Sequence, residues 1–225
     1  MRAQENTKKS KKAAIILSGC GVLDGSEITE AVAAVFGVCE AGAEPVFFAP
    51  NIPQADVVNH LSGRAENSRR NVLAEAARIA RGNISDLKDF DARSVDAAIF
   101  VGGFGAAKNL SDFAAKGAGC KLNKDAEKAV LEMHSLKKPI GFVCIAPASV
   151  AAPALGKFGV KLTIGSDPQT AAQIEKTGAV HVNCAADGFV CDESANVYST
   201  PAYMLAQSPL DVRDGVAKMA RAMLK

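Results

Sequence analysis

Cys144 is the residue of this chain best placed to do chemistry. It ends the apolar run Ile140–Val143 and is followed by Ile145-Ala146-Pro147-Ala148, small residues that open a helical segment. Proline suits the first turn of a helix, whose leading N–H groups have no intrahelical partner. A cysteine at such a strand-to-helix turn lies near the positive end of the helix dipole. That placement favours thiolate, the nucleophilic form. The pattern is a nucleophile elbow with cysteine in place of serine. Core packing is the competing reading, because free cysteine is among the most buried residue types.

Two other stretches are rich in groups that could serve such a nucleophile. Gly102-Gly103-Phe104-Gly105 follows an apolar run, and Gly19–Ser26 follows another and leads to Glu27 and Glu30. The first lacks the G-x-G-x-x-G spacing of a dinucleotide site. Its alternatives are a plain tight turn or a set of backbone donors. In the second case the N–H groups of Gly103 and of Ile145, the residue after the nucleophile, would stabilise an oxyanion.

The elements that must hold these loops follow from hydrophobic patterning. Ala13–Ser18, Pro45–Ala49, Ala97–Val101, Ile140–Val143 and Val160–Ile164 are short apolar runs of buried-strand type. A helical pattern starts at Ser26 and ends near Ala41-Gly42, and others cover Asn71–Arg81, Lys124–Leu136, Ala148–Leu155, Thr170–Thr177 and part of Ala202–Leu224. A short strand is expected within Val57–Leu61, and Asn109–Cys120 reads as a loop or short helix. Val190 and Val197–Thr200 read as a hairpin around Asp192–Asn196. Strand and helix alternate, which predicts one doubly wound, mostly parallel α/β sheet sandwiched by helices, spanning residues 13–225. In such sheets the site lies at the carboxyl ends of the strands, where all three loops should open.

Composition narrows the function. The net charge is +2, but residues 1–12 hold Arg2, Lys8, Lys9, Lys11 and Lys12 against Glu5. The remaining body is near neutral, which argues against a nucleic-acid partner, and the basic start reads as a solvated tail. No apolar stretch is long enough to span a membrane. The six cysteines form no C-x-x-C and no zinc-type spacing with His60, His134 or His181, so no metal or other cofactor is expected. Reduced thiols and a cytoplasmic location are the expectation, with organelle targeting by the basic tail the lesser alternative.

Val-Gly-Gly-Phe-Gly-Ala-Ala-Lys-Asn-Leu at 101–110 and Gly-Phe-Val-Cys-Ile-Ala-Pro-Ala at 141–148 resemble the ThiJ/PfpI superfamily of flavodoxin-like, class I glutamine amidotransferase-like cysteine proteins. Leu-Ser-Gly-Cys-Gly-Val-Leu-Asp-Gly-Ser-Glu-Ile at 17–28 resembles its ElbB branch, named for enhancing lycopene biosynthesis. So do Asn59-His60-Leu61, Arg70–Leu73, Leu162–Gly165 and Thr200–Met204. The resemblance implies a homodimer and a glyoxalase that needs neither glutathione nor metal. It maps the nucleophile onto Cys144 and the acidic partner onto Glu30, with Glu27 as the fallback.

The chain departs from the deglycase-like pattern in one respect. Where those proteins carry a histidine, it has Thr163-Ile164-Gly165-Ser166-Asp167. Asp167 is the candidate accessory group there, and Cys20 a candidate resolving thiol. The resemblance thus implies glyoxal, or methylglyoxal, converted to its 2-hydroxy acid through a Cys144 hemithioacetal. The alternative is a weakly catalytic cysteine redox sensor.

Overall fold

The computed structural model describes residues 10–225; most of the basic N-terminal stretch lies outside them. Of that stretch, Lys12 already belongs to the first strand, and Lys11 Nζ donates to the carbonyls of Leu224 and Lys225, both at 2.7 Å.

A central sheet of seven strands organises the chain. In chain order its strands are β1 (Lys12–Ile16), β2 (Glu44–Ala49), β5 (Ile84–Asp86), β6 (Ala97–Phe100), β7 (Ile140–Val143), β10 (Val190–Asp192) and β11 (Val197–Thr200). Their spatial order is β10-β11-β7-β6-β1-β2-β5. Every pair is parallel except β10–β11, the hairpin at one edge. Two small sheets stand apart, β3 (Val58–Asn59) with β4 (Arg64–Ala65), and β8 (Lys161–Leu162) with β9 (Val180–His181).

The period-2 rule divides the central strands between two cores. Ala14, Ile16, Ala98, Phe100, Ile140 and Phe142 face one side. Ala13, Ile15, Ala97, Ile99 and Val143 face the other. The first side is covered by α5 (Lys124–Ser135), through Ala126, Ala129, Val130 and Met133, and by α6 (Ala152–Leu155). The second is covered by α1 (Ile28–Glu40) and α8 (Pro209–Met223). These two helices approach closely at Gly37, where an added Cβ would lie 3.0 Å from Ala217 Cα and from Ala220 Cβ. The remaining helices are α2 (Val72–Ala76), α3 (Phe104–Lys108), α4 (Phe113–Lys116) and α7 (Pro168–Glu175). No helix among the described residues is long and apolar enough to cross a membrane.

Three of the differences from the sequence expectation bear on how the sheet and its cover are built. The helix expected over Asn71–Arg81 is regular only through Ala76. Arg78 N–H then bonds to Glu75 O and Ile79 N–H to Ala76 O, three-residue closures that tighten the chain into turns. The strand expected over Val160–Ile164 shrinks to β8 and leaves the central sheet, because β10 occupies the free edge of β11. Side chains there replace a ladder: Lys161 N–H donates to Asp192 Oδ2 and Thr163 N–H to Ser199 Oγ, both at 2.9 Å. The third is β5, which the sequence Ile-Ser-Asp did not announce because it has no apolar run.

Candidate active site

Four loops meet at the carboxyl edge of the sheet. They follow β1, β6, β7 and β11, which lie side by side. Backbone hydrogen bonds stitch them together: Glu27 N–H to Gly102 O at 3.1 Å, Phe104 N–H to Val22 O at 2.8 Å, Gly105 N–H to Gly25 O at 2.9 Å, and Cys144 N–H to Thr200 O at 3.0 Å. Asn109 adds side-chain ties. Its Nδ2 donates to Ser18 O and Asp24 O, and its Oδ1 accepts from Ala55 N–H at 2.9 Å.

Cys144 occupies the turn after β7 with φ +61°, the left-handed region that a non-glycine residue rarely adopts. The next regular segment is a turn of π-helix, Pro147–Ala151, which runs into α6. The elbow thus forms as the sequence predicts. Its thiol is almost wholly buried, at 8% exposure.

Glu30 lies in the first turn of α1 and is fully buried, at 0% exposure. Gly102 sits between it and the cysteine. A Cβ added there would fall 2.4 Å from Cys144 Cβ and 2.6 Å from Glu30 Oε2, so only glycine leaves room for the pair. Gly103, at φ +89°, is held as closely on its other side by the Gly25 carbonyl and the Glu27 N–H.

Electrostatics correct one expectation. Burial pushes the Cys144 thiol well above its ordinary pKa, and the facing Glu30 carboxyl adds to the rise. The N–H groups of Gly103 and Ile145 act against it. Desolvation therefore outweighs the favourable field of the following helix, and the resting group is a thiol. Burial also raises Glu30, to about 8, with the charge of Glu27 adding to it. The Cys144 thiol and the Tyr203 and Gly102 N–H groups draw it partly back, although no group meets either carboxyl oxygen in full hydrogen-bond geometry among the described residues. Near neutral pH the pair keeps both protons, and the first to leave belongs to the pair rather than to either residue.

The other candidate residues lie elsewhere. Glu27 caps α1: its Oε2 accepts from Glu30 N–H at 2.7 Å, so it holds the helix start and acts on Glu30 through charge. Asp167 caps α7 in the same way, accepting from Thr170 N–H at 2.7 Å, and the Thr170 hydroxyl together with that N–H holds its carboxyl below the usual range. Cys20 faces Arg78, Glu75, Asp24 and Arg70, and burial raises its thiol. It lines no part of the cavity at Cys144. His60 pins the β1–α1 loop, with Nε2 accepting from Leu23 N–H at 3.1 Å and Nδ1 donating to Val58 O at 3.0 Å. His181 Nε2 accepts from Ile164 N–H at 3.4 Å, and His134 stacks on Phe158.

Sequence reasoning missed Gly102 as the spacer of the pair. It also missed the β11 loop, whose Tyr203 and Met204 join Val22, Phe104 and Phe113 in the cavity wall. The signal was present as Thr-Pro-Ala-Tyr-Met at 200–204, but its proximity to Cys144 depends on β11 pairing with β7.

Fold and site together define a doubly wound α/β protein with a buried cysteine–glutamate pair at its elbow. No protein-family model matches the chain. It is 44% identical over 229 residues to glutamine amidotransferase-like class 1 domain-containing protein 3, mitochondrial, of Homo sapiens, with 97% of this chain and 84% of that protein covered. It is 43% identical over 224 residues to the ES1 protein homolog, mitochondrial, of Rattus norvegicus, covering 95% and 83%. The chain belongs to this ES1, or glutamine amidotransferase-like class 1 domain-containing, family. The crystal structure of an isoprenoid biosynthesis protein with amidotransferase-like domain from Ehrlichia chaffeensis superposes with a TM-score of 0.87 at 38% identity, covering 94% of this chain and 98% of that one. Drosophila melanogaster DJ-1beta, at 19% identity and TM-score 0.54 over 95% of this chain and 90% of that one, shares the fold alone. The expected cytoplasmic location is corrected by these comparisons, since the human and rat relatives and the Danio rerio ES1 protein are all named mitochondrial.

Proposed function

We propose that the protein is a glutathione-independent glyoxalase that converts glyoxal, and methylglyoxal, to the 2-hydroxy acid. The observation that carries this reading is the burial of Glu30 against the Cys144 elbow, with Gly102 cleared between them and the Gly103 and Ile145 N–H groups acting on the sulfur. A carboxyl raised to about 8 is a usable general base just above neutrality. Ionised Glu30 takes the thiol proton as the sulfur adds to the aldehyde carbon, and that proton passes to the aldehyde oxygen. Glu30 then removes the hydrogen on that carbon as a proton and returns it to the neighbouring carbon, while the hydroxyl proton of the first carbon passes to the neighbouring oxygen, so that a thioester of a 2-hydroxy acid results. The first carbon is oxidised and the second reduced, so no external oxidant is needed. Water cleaves the resulting thioester, releasing glycolate from glyoxal and restoring the thiol. The two N–H groups stabilise the oxyanion in the addition and hydrolysis steps.

The redox-sensor reading has less support. A thiol whose pKa is raised holds little thiolate, the form that oxidants attack. Ile28, Val32 and Phe36 recur at i, i+4 and i+8 as a half-exposed apolar ridge on α1, which supports a homodimer as the working assembly. The function is tested by glycolate release from glyoxal without glutathione, using wild type, Cys144→Ala and Glu30→Gln. The wild type alone should turn over; equal rates in all three overturn the mechanism.

A further inference from the structure

The cavity over Cys144 has a chemical character that glyoxal does not explain. Its volume is about 350 Å³, near the lower end for pockets that hold a drug-sized ligand. A two-carbon dicarbonyl fills a small part of that. Val22, Phe104, Phe113, Ile145 and Met204 make most of the wall, and among the described residues no Asp, Glu, Lys, Arg or His lines it; the Glu30 carboxyl is buried behind Cys144 under Gly102 rather than in the wall itself. The polar side chains present are the Cys144 thiol and the Tyr203 phenol. Lys108, on the same short helix as Phe104, lies outside the wall with its charge already paired: Nζ sits 5.3 Å from the centroid of the Phe104 ring and donates to Asp56 Oδ2 at 2.8 Å and to Leu23 O at 3.2 Å. Such a wall rewards apolar surface leaving water and leaves a charged group without a partner.

We propose that the site selects an uncharged 2-oxoaldehyde whose ketone carbon bears an apolar group of phenyl or branched-alkyl size, in preference to glyoxal and to aldehydes carrying carboxylate or phosphate. The inference rests on Cys144 being the nucleophile. The aldehyde carbon meets the sulfur beside the Gly103 and Ile145 N–H groups, and the apolar substituent lies between Phe104 and Phe113, where ring contacts add to burial. The balance is that of the parent reaction. The oxoaldehyde and one water give the 2-hydroxy carboxylate and a proton, with the hydrogen moved from the aldehyde carbon to the ketone carbon.

The test separates the cavity from the catalysis. Cys144 is alkylated with iodoacetate, iodoacetamide or N-benzyl iodoacetamide, and its labelling rate is divided by that of the exposed Cys39 in the same molecules, read by peptide mass spectrometry. The ratio should climb in that order, by about tenfold or more from the first reagent to the last. Val22→Asp, a substitution at an exposed part of the rim, should flatten the series while leaving Cys39 labelling as it was. In turnover, phenylglyoxal should exceed glyoxal in kcat/KM by a similar factor. A flat or reversed alkylation series overturns the inference, even if glyoxal is turned over. So does uniformly slow Cys144 labelling that quickens on dilution, because a second copy of the chain would then cover the cavity. A rising series with no turnover of any dicarbonyl supports the cavity assignment and overturns the glyoxalase reading instead.

Discussion

Replacing Glu30 by glutamine should remove activity and raise stability together. The carboxyl is fully buried, and its pKa rises from the ordinary 4.5 to about 8, chiefly by desolvation. In the unfolded chain the same group ionises at its ordinary value. Below that value both states are protonated, and the stability linked to the raised pKa is fully present. As pH rises toward 8 the unfolded state loses the proton while the folded state keeps it. Stability falls through that window by about 1.4 kcal/mol per pH unit, about 3 kcal/mol by neutral pH. Glutamine keeps the shape and has no charge to bury, so the pH term disappears. For a chain of 225 residues the gain at pH 7 corresponds to a rise in Tm of about 6–12 °C. Thermal unfolding of wild type and Glu30→Gln at pH 5, 6, 7 and 8 measures it, with dicarbonyl turnover followed in parallel. Wild-type turnover should climb as the pair loses its first proton near pH 8, and the variant should show neither the climb nor the rate. A Tm advantage that fails to grow with pH would refute the assignment of Glu30 as a carboxyl held protonated by burial.

Three further outcomes follow from the geometry. Gly102→Ala places a Cβ 2.4 Å from Cys144 Cβ and 2.6 Å from Glu30 Oε2, and the displaced pair should cost about a hundredfold in turnover; near-wild-type rates would count against the pair. Cys144→Gly and Cys144→Ala should both be inactive, but the φ of +61° should make the glycine variant the more stable by about 1 kcal/mol in urea denaturation. Asp167→Ala should lower Tm at pH 7 while leaving turnover at the wild-type level. The cap's contribution is lost as pH falls through its depressed pKa, so the Tm difference should close on acidification.

Local pattern carried the parts of this protein that depend on neighbours in the chain. The elbow strand Ile140–Val143 has the bounds its apolar run announced, and the hairpin Val190–Thr200 forms around the expected turn. Helix extent was legible over Lys124–Leu136, where α5 begins as expected after the Asn123 cap, whereas the helices expected from Ser26 and Thr170 begin at Ile28 and Pro168 with Glu27 and Asp167 as their caps. The same legibility misled on function, because an acidic side chain in a loop looks alike whether it caps a helix or serves a nucleophile. Glu27 and Glu30 were told apart only by packing, which leaves one at the helix start bonded to a backbone N–H and seals the other under Gly102.

Sequence alone therefore determined the alternating α/β order, the elbow at Cys144 and the three loops that follow β1, β6 and β7. Those features depend on hydrophobic period, turn residues and strand ends. Tertiary structure decided the protonation of the pair and the nature of the cavity. Desolvation is a property of everything packed around a group, and it reversed the preference for thiolate that the elbow's position suggested. The wall of the cavity joins residues from Val22 to Met204, and only the pairing of β11 with β7 and of β6 with β1 brings them to one edge.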